Sequence, residues 1–281
     1  MYKIFSIFCL VFMSINIEAQ IKMPAASPSA VVKQDVGLSN ITIEYSRPSL
    51  KGRKMMGTDV IPYGKIWRTG ANGIPKITIT EEVAFEGNKV APGTYGIMTI
   101  PNENEWTIII SKNAKQWGTY SYKQEEDLVR FNVKAEKLKD IAEHFTIGFT
   151  DFSENSAKIY IKWENHIAKF TVTNSPDAAI LQEINLKTAA ADATSDTYFD
   201  AADYYYNKGL DLNKALDWAN KVVEKDKQYW TYYLRGKIAA KAGKCNIALS
   251  DAKEGIVLAK KENDMSYVKN LESLVTTCTK K

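Results

Sequence analysis

Arg47, Arg53, Tyr63, Trp67, Arg68 and Asn72 fall within one stretch, YSRPSLKGRKMMGTDVIPYGKIWRTGAN, which runs from Tyr45 to Asn72. A guanidinium binds a carboxylate or phosphate through two parallel hydrogen bonds and also stacks on indole or phenol rings. Three arginines beside a tyrosine and a tryptophan can therefore build a site for a small anionic or sugar-like ligand. Pro48 biases Arg47 towards an extended conformation, and Gly52, Gly57, Gly64 and Gly70 let the chain fold tightly on itself. The same residues can equally serve structure, with the arginines tying an irregular loop to backbone carbonyls and Trp67 plugging a core. The residue types admit both readings.

Little else in the chain has catalytic spacing. The two histidines, His144 and His166, have no partner at metal-ligand spacing and read as core or surface residues, so no metal is expected. HExxH, P-loop, GxGxxG and GxSxG patterns do not occur, and no cofactor is expected. Ser250-x-x-Lys253 lies in a helical pattern without a companion motif. Glu81-Glu82 and Glu125-Glu126-Asp127 read as solvated edges, the second group being free to partner an arginine. The formal charge is +4, and the lysines are interspersed with acids rather than clustered, which speaks against nucleic-acid binding. The expectation is a non-catalytic binding or interaction protein whose occupant is a small anionic or sugar-like ligand, or an envelope protein or peptide. The alternative is a hydrolase that uses the Arg47 to Asn72 loop with a carboxylate or histidine brought near by folding.

The elements that must position these groups come in two kinds. From about residue 23 to 174, apolar residues alternate in short runs, among them Ile41, Ile43 and Tyr45, Ile77 and Ile79, Tyr95 and Ile97, and Val129, Phe131 and Val133. Later runs follow at 145–149, 158–163 and 167–172. A period of two with turn chemistry between runs predicts an all-β sandwich. Ser175-Pro176-Asp177 marks a boundary, and the pattern from 175 to 281 shifts to a period near 3.6. There KALDWANKVVEKD from Lys214 is echoed by IALSDAKEGIVLA from Ile247, and Tyr232, Gly236, Ala239, Ala248 and Ala252 fall at the packing positions of a tetratricopeptide repeat. An all-α tetratricopeptide-like domain is expected, with an ordinary hairpin bundle as the alternative. Its crowded aromatics, such as Tyr204, Tyr205 and Tyr206, cannot all point inward on a helix, so some must be exposed or serve as a docking surface.

Lys3, the apolar run from Ile4 to Ile15, and Ile17-Glu18-Ala19 before Gln20 have the three-part plan of a secretory signal, which predicts cleavage after residue 19 and export to the periplasm or beyond. The run is too short and too broken to be a membrane anchor, Cys9 lacks the small residues that precede a lipidated cysteine, and no later run is long enough to span. Cys245 and Cys278 then remain. Helices from about Cys245 to Lys261 and from about Asp264 to Thr279, joined by a short turn, would place the two at the same end, so a disulfide is expected over two buried thiols.

The segments SPSAVVKQDVGLSNITIEYSRPSLKGRKM, VIPYGKIWRTGAN, APGTYGIMTIP, EWTIIISK and WGTY together resemble the domain-of-unknown-function family numbered 2911, found mainly in exported proteins of Bacteroidetes. The likeness covers roughly Met23 to Asn174. Many members carry an acidic residue after GAN where this chain has Gly73, so the resemblance supplies no carboxylate there. It implies fold and export, and brings no catalytic residue with it.

Overall fold

A computed structural model describes residues 23–280, and the predicted signal segment lies outside them. The chain divides into two compact units between Ser175 and Pro176. Among the described residues the first contains nine antiparallel strands: β1 (Ser29–Val36), β2 (Ser39–Ser46), β3 (Lys76–Ile79), β4 (Val83–Phe85), β5 (Asn88–Val90), β6 (Gly93–Pro101), β7 (Glu105–Ser111), β8 (Asp127–Thr150) and β9 (Ser156–Thr173). They are ordered β1-β2-β3-β6-β7-β8-β9-β4-β5.

The strand β8 makes a sandwich from this order. Its first third pairs with β7, from Asp127 opposite Ser111 to Lys134 opposite Glu105. The remainder pairs with β9, from Ala135 opposite Ala168 to Thr150 opposite Lys158. One core then fills the space between the two layers, with Ile41, Ile43, Ile77, Ile97 and Ile108 meeting Phe145, Ile147, Ile161, Trp163 and Phe170. The layers are stitched where Tyr45 Oη donates to the Ile147 carbonyl at 3.0 Å, and where Leu50 N and Phe145 N donate to Glu143 O and Pro48 O at 2.9 Å each.

The alternation in the sequence suggests separate strands at 129–133 and 145–149, and again at 158–163 and 167–172. The structure joins each pair into one strand of 24 and 18 residues respectively. The polar stretch between Lys134 and Glu143 hides the continuity, because its side chains are mostly exposed and its register shifts at Lys137, Ala142 and Thr146. Glu164, at φ 55°, takes the matching irregularity in β9.

Asn174 finishes this unit as a clasp. It is buried; its Oδ1 accepts from Leu38 N at 2.9 Å, its Nδ2 donates to Glu82 O at 2.8 Å, and its backbone N donates to Asn155 O at 2.9 Å. Gly37, at φ 56°, lies so close that a Cβ there would stand 2.4 Å from Asn174 Oδ1.

The second unit is all-α: α1 (Asp177–Ala189), α2 (Ser195–Lys208), α3 (Leu212–Lys225), α4 (Tyr229–Lys241), α5 (Cys245–Lys261) and α6 (Met265–Thr279). The first residues of α2 and α4 stand one tetratricopeptide period apart, about 34 residues. Small residues sit where helices approach most closely, since a Cβ on Gly236 would meet Leu274 Cδ1 at 2.9 Å and Asp251 Cβ at 3.6 Å. Asp251 is buried and held by Arg235, with Nη2 to Oδ1 at 2.6 Å and Nε to Oδ2 at 2.9 Å. Cys245 and Cys278 form a disulfide between the start of α5 and the end of α6, with a Cα separation of 5.3 Å.

The aromatic crowding is resolved by burial and by lysine side chains laid over the rings. Tyr198, Tyr205 and Trp218 are buried, and Lys221 lies over Tyr198, Lys214 over Tyr205 and Trp218, and Lys237 and Lys241 over Tyr206. Among the described residues no helix is long and apolar enough to cross a membrane.

Candidate functional site

The segment between β2 and β3 leaves the sheet at Ser46 and briefly rejoins it at Trp67. There Trp67 N donates to Thr99 O at 2.7 Å and Thr99 N to Trp67 O at 3.1 Å, so the loop continues the place in the sheet that β3 occupies further along β6. This bridge fixes Trp67 in the core at 7 % exposure. Its indole lies parallel to that of Trp163, 6.1 Å between centroids, and meets Phe145 and Trp106 edge-on.

Beyond Trp67 the backbone is unusual. Thr69 (φ 58°), Gly70 (φ 128°) and Asn72 (φ 60°) all take positive φ, which a β-branched residue adopts only under constraint. Thr69 is held there by a buried hydroxyl contact of 3.0 Å to Thr99. A Cβ at Gly70 would approach Ser46 O at 3.2 Å and the Phe145 ring at 3.3 Å. Asn72 Nδ2 donates to Ser46 Oγ at 3.1 Å, closing the loop back onto its own beginning.

The turn opens a cavity of about 230 Å³ lined by Ser27, Pro48, Arg53, Met55, Val60, Ile61, Trp67, Arg68, Gly70, Ala71 and Trp163. Three of the six sequence candidates thus meet at one place: Arg53, Trp67 and Arg68. Arg53 serves both purposes foreseen for the loop arginines, since Nε donates to Leu50 O at 2.8 Å and Nη2 to Ser49 O at 2.9 Å while the side chain also lines the cavity. Arg68 Nη1 donates to Asn72 O at 3.2 Å. Neither guanidinium is within ion-pair distance of a carboxylate among the described residues. Trp163 and the aliphatic wall of Met55, Val60 and Ile61 were not singled out from the sequence. Trp163 sits in a clear strand pattern, but nothing local tells which distant strand faces the loop.

The other three candidates lie apart from the cavity lining. Arg47 Nη2 donates to Thr146 Oγ1 at 3.1 Å and its backbone N to Pro28 O at 2.8 Å, a brace across the layers. Asn72 ties the loop shut as described. Tyr63 points to His166 instead, with Oη 3.0 Å from Nε2.

His166 is 2 % exposed, and Lys137 Nζ also reaches its Nε2, at 2.6 Å. An ammonium can only donate, so Nε2 is the acceptor and the ring proton sits on Nδ1, which has no partner among the described residues. Burial, and then the Lys137 charge, push the imidazole below its ordinary range, while burial raises the Tyr63 phenol. Close by, Glu164 Oε2 accepts from Met55 N at 3.1 Å and Met56 N at 3.0 Å, fastening the loop wall to β9. His144 is an exposed residue with Nδ1 2.8 Å from Ser49 Oγ. The acidic group at 125–127 does partner an arginine: Asp127 binds Arg130 at 2.8 Å and accepts from Tyr122 Oη. No group of His, Cys, Asp and Glu among the described residues could hold a metal ion.

Neither the curated proteins nor the solved structures contain a match to this chain. A family model does match, over residues 27–172, covering every strand of the sandwich and the whole cavity lining. The chain belongs to the protein family of unknown function DUF2911.

Proposed function

We propose that this is an exported, non-catalytic binding protein of the periplasm or cell envelope, and that the cavity beside Trp67 receives a small anion. The observation that carries the reading is the pair of guanidiniums, Arg53 and Arg68, set without carboxylate partners on a cavity walled by two indoles and aliphatic groups. A preformed apolar cleft with a few oriented polar groups is the usual form of a small-molecule site. Positive charge left unneutralised at such a cleft favours carboxylate or phosphate, which arginine holds bidentately. The positive φ of Thr69, a β-branched residue, is consistent with this, because backbone strain concentrates where a loop must hold one shape for a ligand.

The hydrolase alternative draws on Ser49 Oγ and His144 Nδ1, which stand 2.8 Å apart beside Pro48 of the lining. These residues also face each other across the bridge that joins the loop to β8, so strand pairing accounts for their closeness without chemistry. Binding is the reading adopted.

A thermal-shift screen of organic acids, sugars, peptidoglycan fragments and nucleotides tests it. A true ligand at a hundredfold excess over its Kd adds about 2.7 kcal/mol of stability. Arg68→Ala should retain the unliganded melting temperature within a few degrees, since Arg68 gives up one hydrogen bond at a partly exposed position, and should lose the ligand's shift. A shift unchanged in Arg68→Ala would move the site elsewhere, and the absence of any shift would refute the reading.

A further inference from the structure

One large exposed ring, that of Tyr120, stands near Arg68 and is not explained by the arginine pair. The segment from Gln116 to Tyr122 passes beside the loop, and its backbone is pinned: Trp117 bridges Gly73, Ile74 N donates to Gln116 O at 3.3 Å, and Gln116 Nε2 donates to Ser121 O at 3.1 Å. Gly118 turns at φ 74°, and a Cβ placed on it would lie 3.2 Å from the Tyr120 ring and 3.9 Å from Arg68 Nη1. The phenol and the guanidinium therefore approach one point from two elements. Yet Tyr120 is 94 % exposed and Trp117 65 % exposed. A tethered segment thus holds the Tyr120 ring in water beside a charge that lacks a carboxylate partner.

Resting on the anion-binding reading above, we propose that Tyr120 forms the ring platform beside this site and that its ligand is an acidic monosaccharide unit. The carboxylate enters the cavity against Arg68 and Arg53, and the apolar C–H face of the sugar ring lies on the Tyr120 ring outside. The cavity, about 230 Å³, is smaller than the roughly 300 Å³ at the lower end for drug-sized ligands, so it takes the charged end of a molecule while the rest stays at the mouth. A sugar ring suits that position because its hydroxyls remain hydrated while one face packs on an aromatic surface. An inorganic anion would leave the Tyr120 ring unused.

Isothermal titration of the purified protein with glucuronate, glucose and acetate tests this. Glucuronate is expected to bind about tenfold or more tighter than either of the others, since each lacks one of the two contacts. Tyr120→Ala should weaken glucuronate about fivefold or more with an unchanged melting temperature, because the ring is in water, and Arg68→Ala should abolish binding. Acetate binding as tightly as glucuronate, or an affinity indifferent to Tyr120→Ala, overturns the platform while leaving the anion site standing. Glucose binding as tightly as glucuronate overturns the acidic sugar. If no anion binds in this assay or in the thermal screen, both readings fall.

Discussion

His166 is the residue whose environment makes the sharpest demand. It is buried, it accepts from a lysine and a tyrosine on one nitrogen, and burial followed by the Lys137 charge lowers its affinity for a proton, with Glu164 and Glu103 opposing and Lys54 adding to the effect. Unfolded, the imidazole titrates near about 6.5, so below that pH the unfolded chain binds the proton more readily than the folded one. The stability it contributes is therefore complete above about pH 6.5 and is lost as pH falls from there through the lower folded value. Melting temperatures between pH 8 and pH 5 should fall more steeply for the wild type than for His166→Gln. Parallel profiles would show that the imidazole binds its proton equally well in the folded and unfolded chain. Neighbouring residues divide differently: Trp67 is buried in the core and Arg68 is partly exposed, though both line the cavity.

Among the elements, the helical pair α5 and α6 was legible almost to the residue, because an apolar stripe, a short turn and a shared end for Cys245 and Cys278 are all local facts. The disulfide closes a span of 33 residues, and replacing both cysteines by serine should cost about 3 kcal/mol, measured as a lowered urea midpoint with an unaltered helical spectrum. No change in midpoint would show that packing of Val268, Leu271 and Leu274 suffices. The strands were legible as alternating runs, but not their lengths, since β8 and β9 pass through polar stretches that read as loops. The site was half legible. Arginine and tryptophan in a glycine-rich loop marked the place, yet Trp163 reaches it from a strand distant in sequence, which no local pattern encodes. Tyr63 illustrates the converse, being close to Trp67 in sequence but directed to His166 by the turn at Gly57 and Gly64.

At the scale of the whole molecule, the proposal of export joins the N-terminal signal pattern to the disulfide, because such bridges persist in oxidising compartments. Protein recovered from the producing cell should have an intact mass that begins at Gln20 and is two hydrogens lighter than the reduced form. A mass that includes residues 1–19, or two alkylatable thiols, would refute export with cleavage or the bridge respectively. The chain leaves the sandwich unit at Ser175, so a pull along the chain from the C-terminal side arrives there. The residue before that point is Asn174, anchored to the β1–β2 turn, to the end of the β3–β4 connection and to the β8–β9 turn. It works as a strain relief does on a cable. Tension is spread over three separate turns before it reaches β9, so the last strand is guarded against being peeled from its sheet.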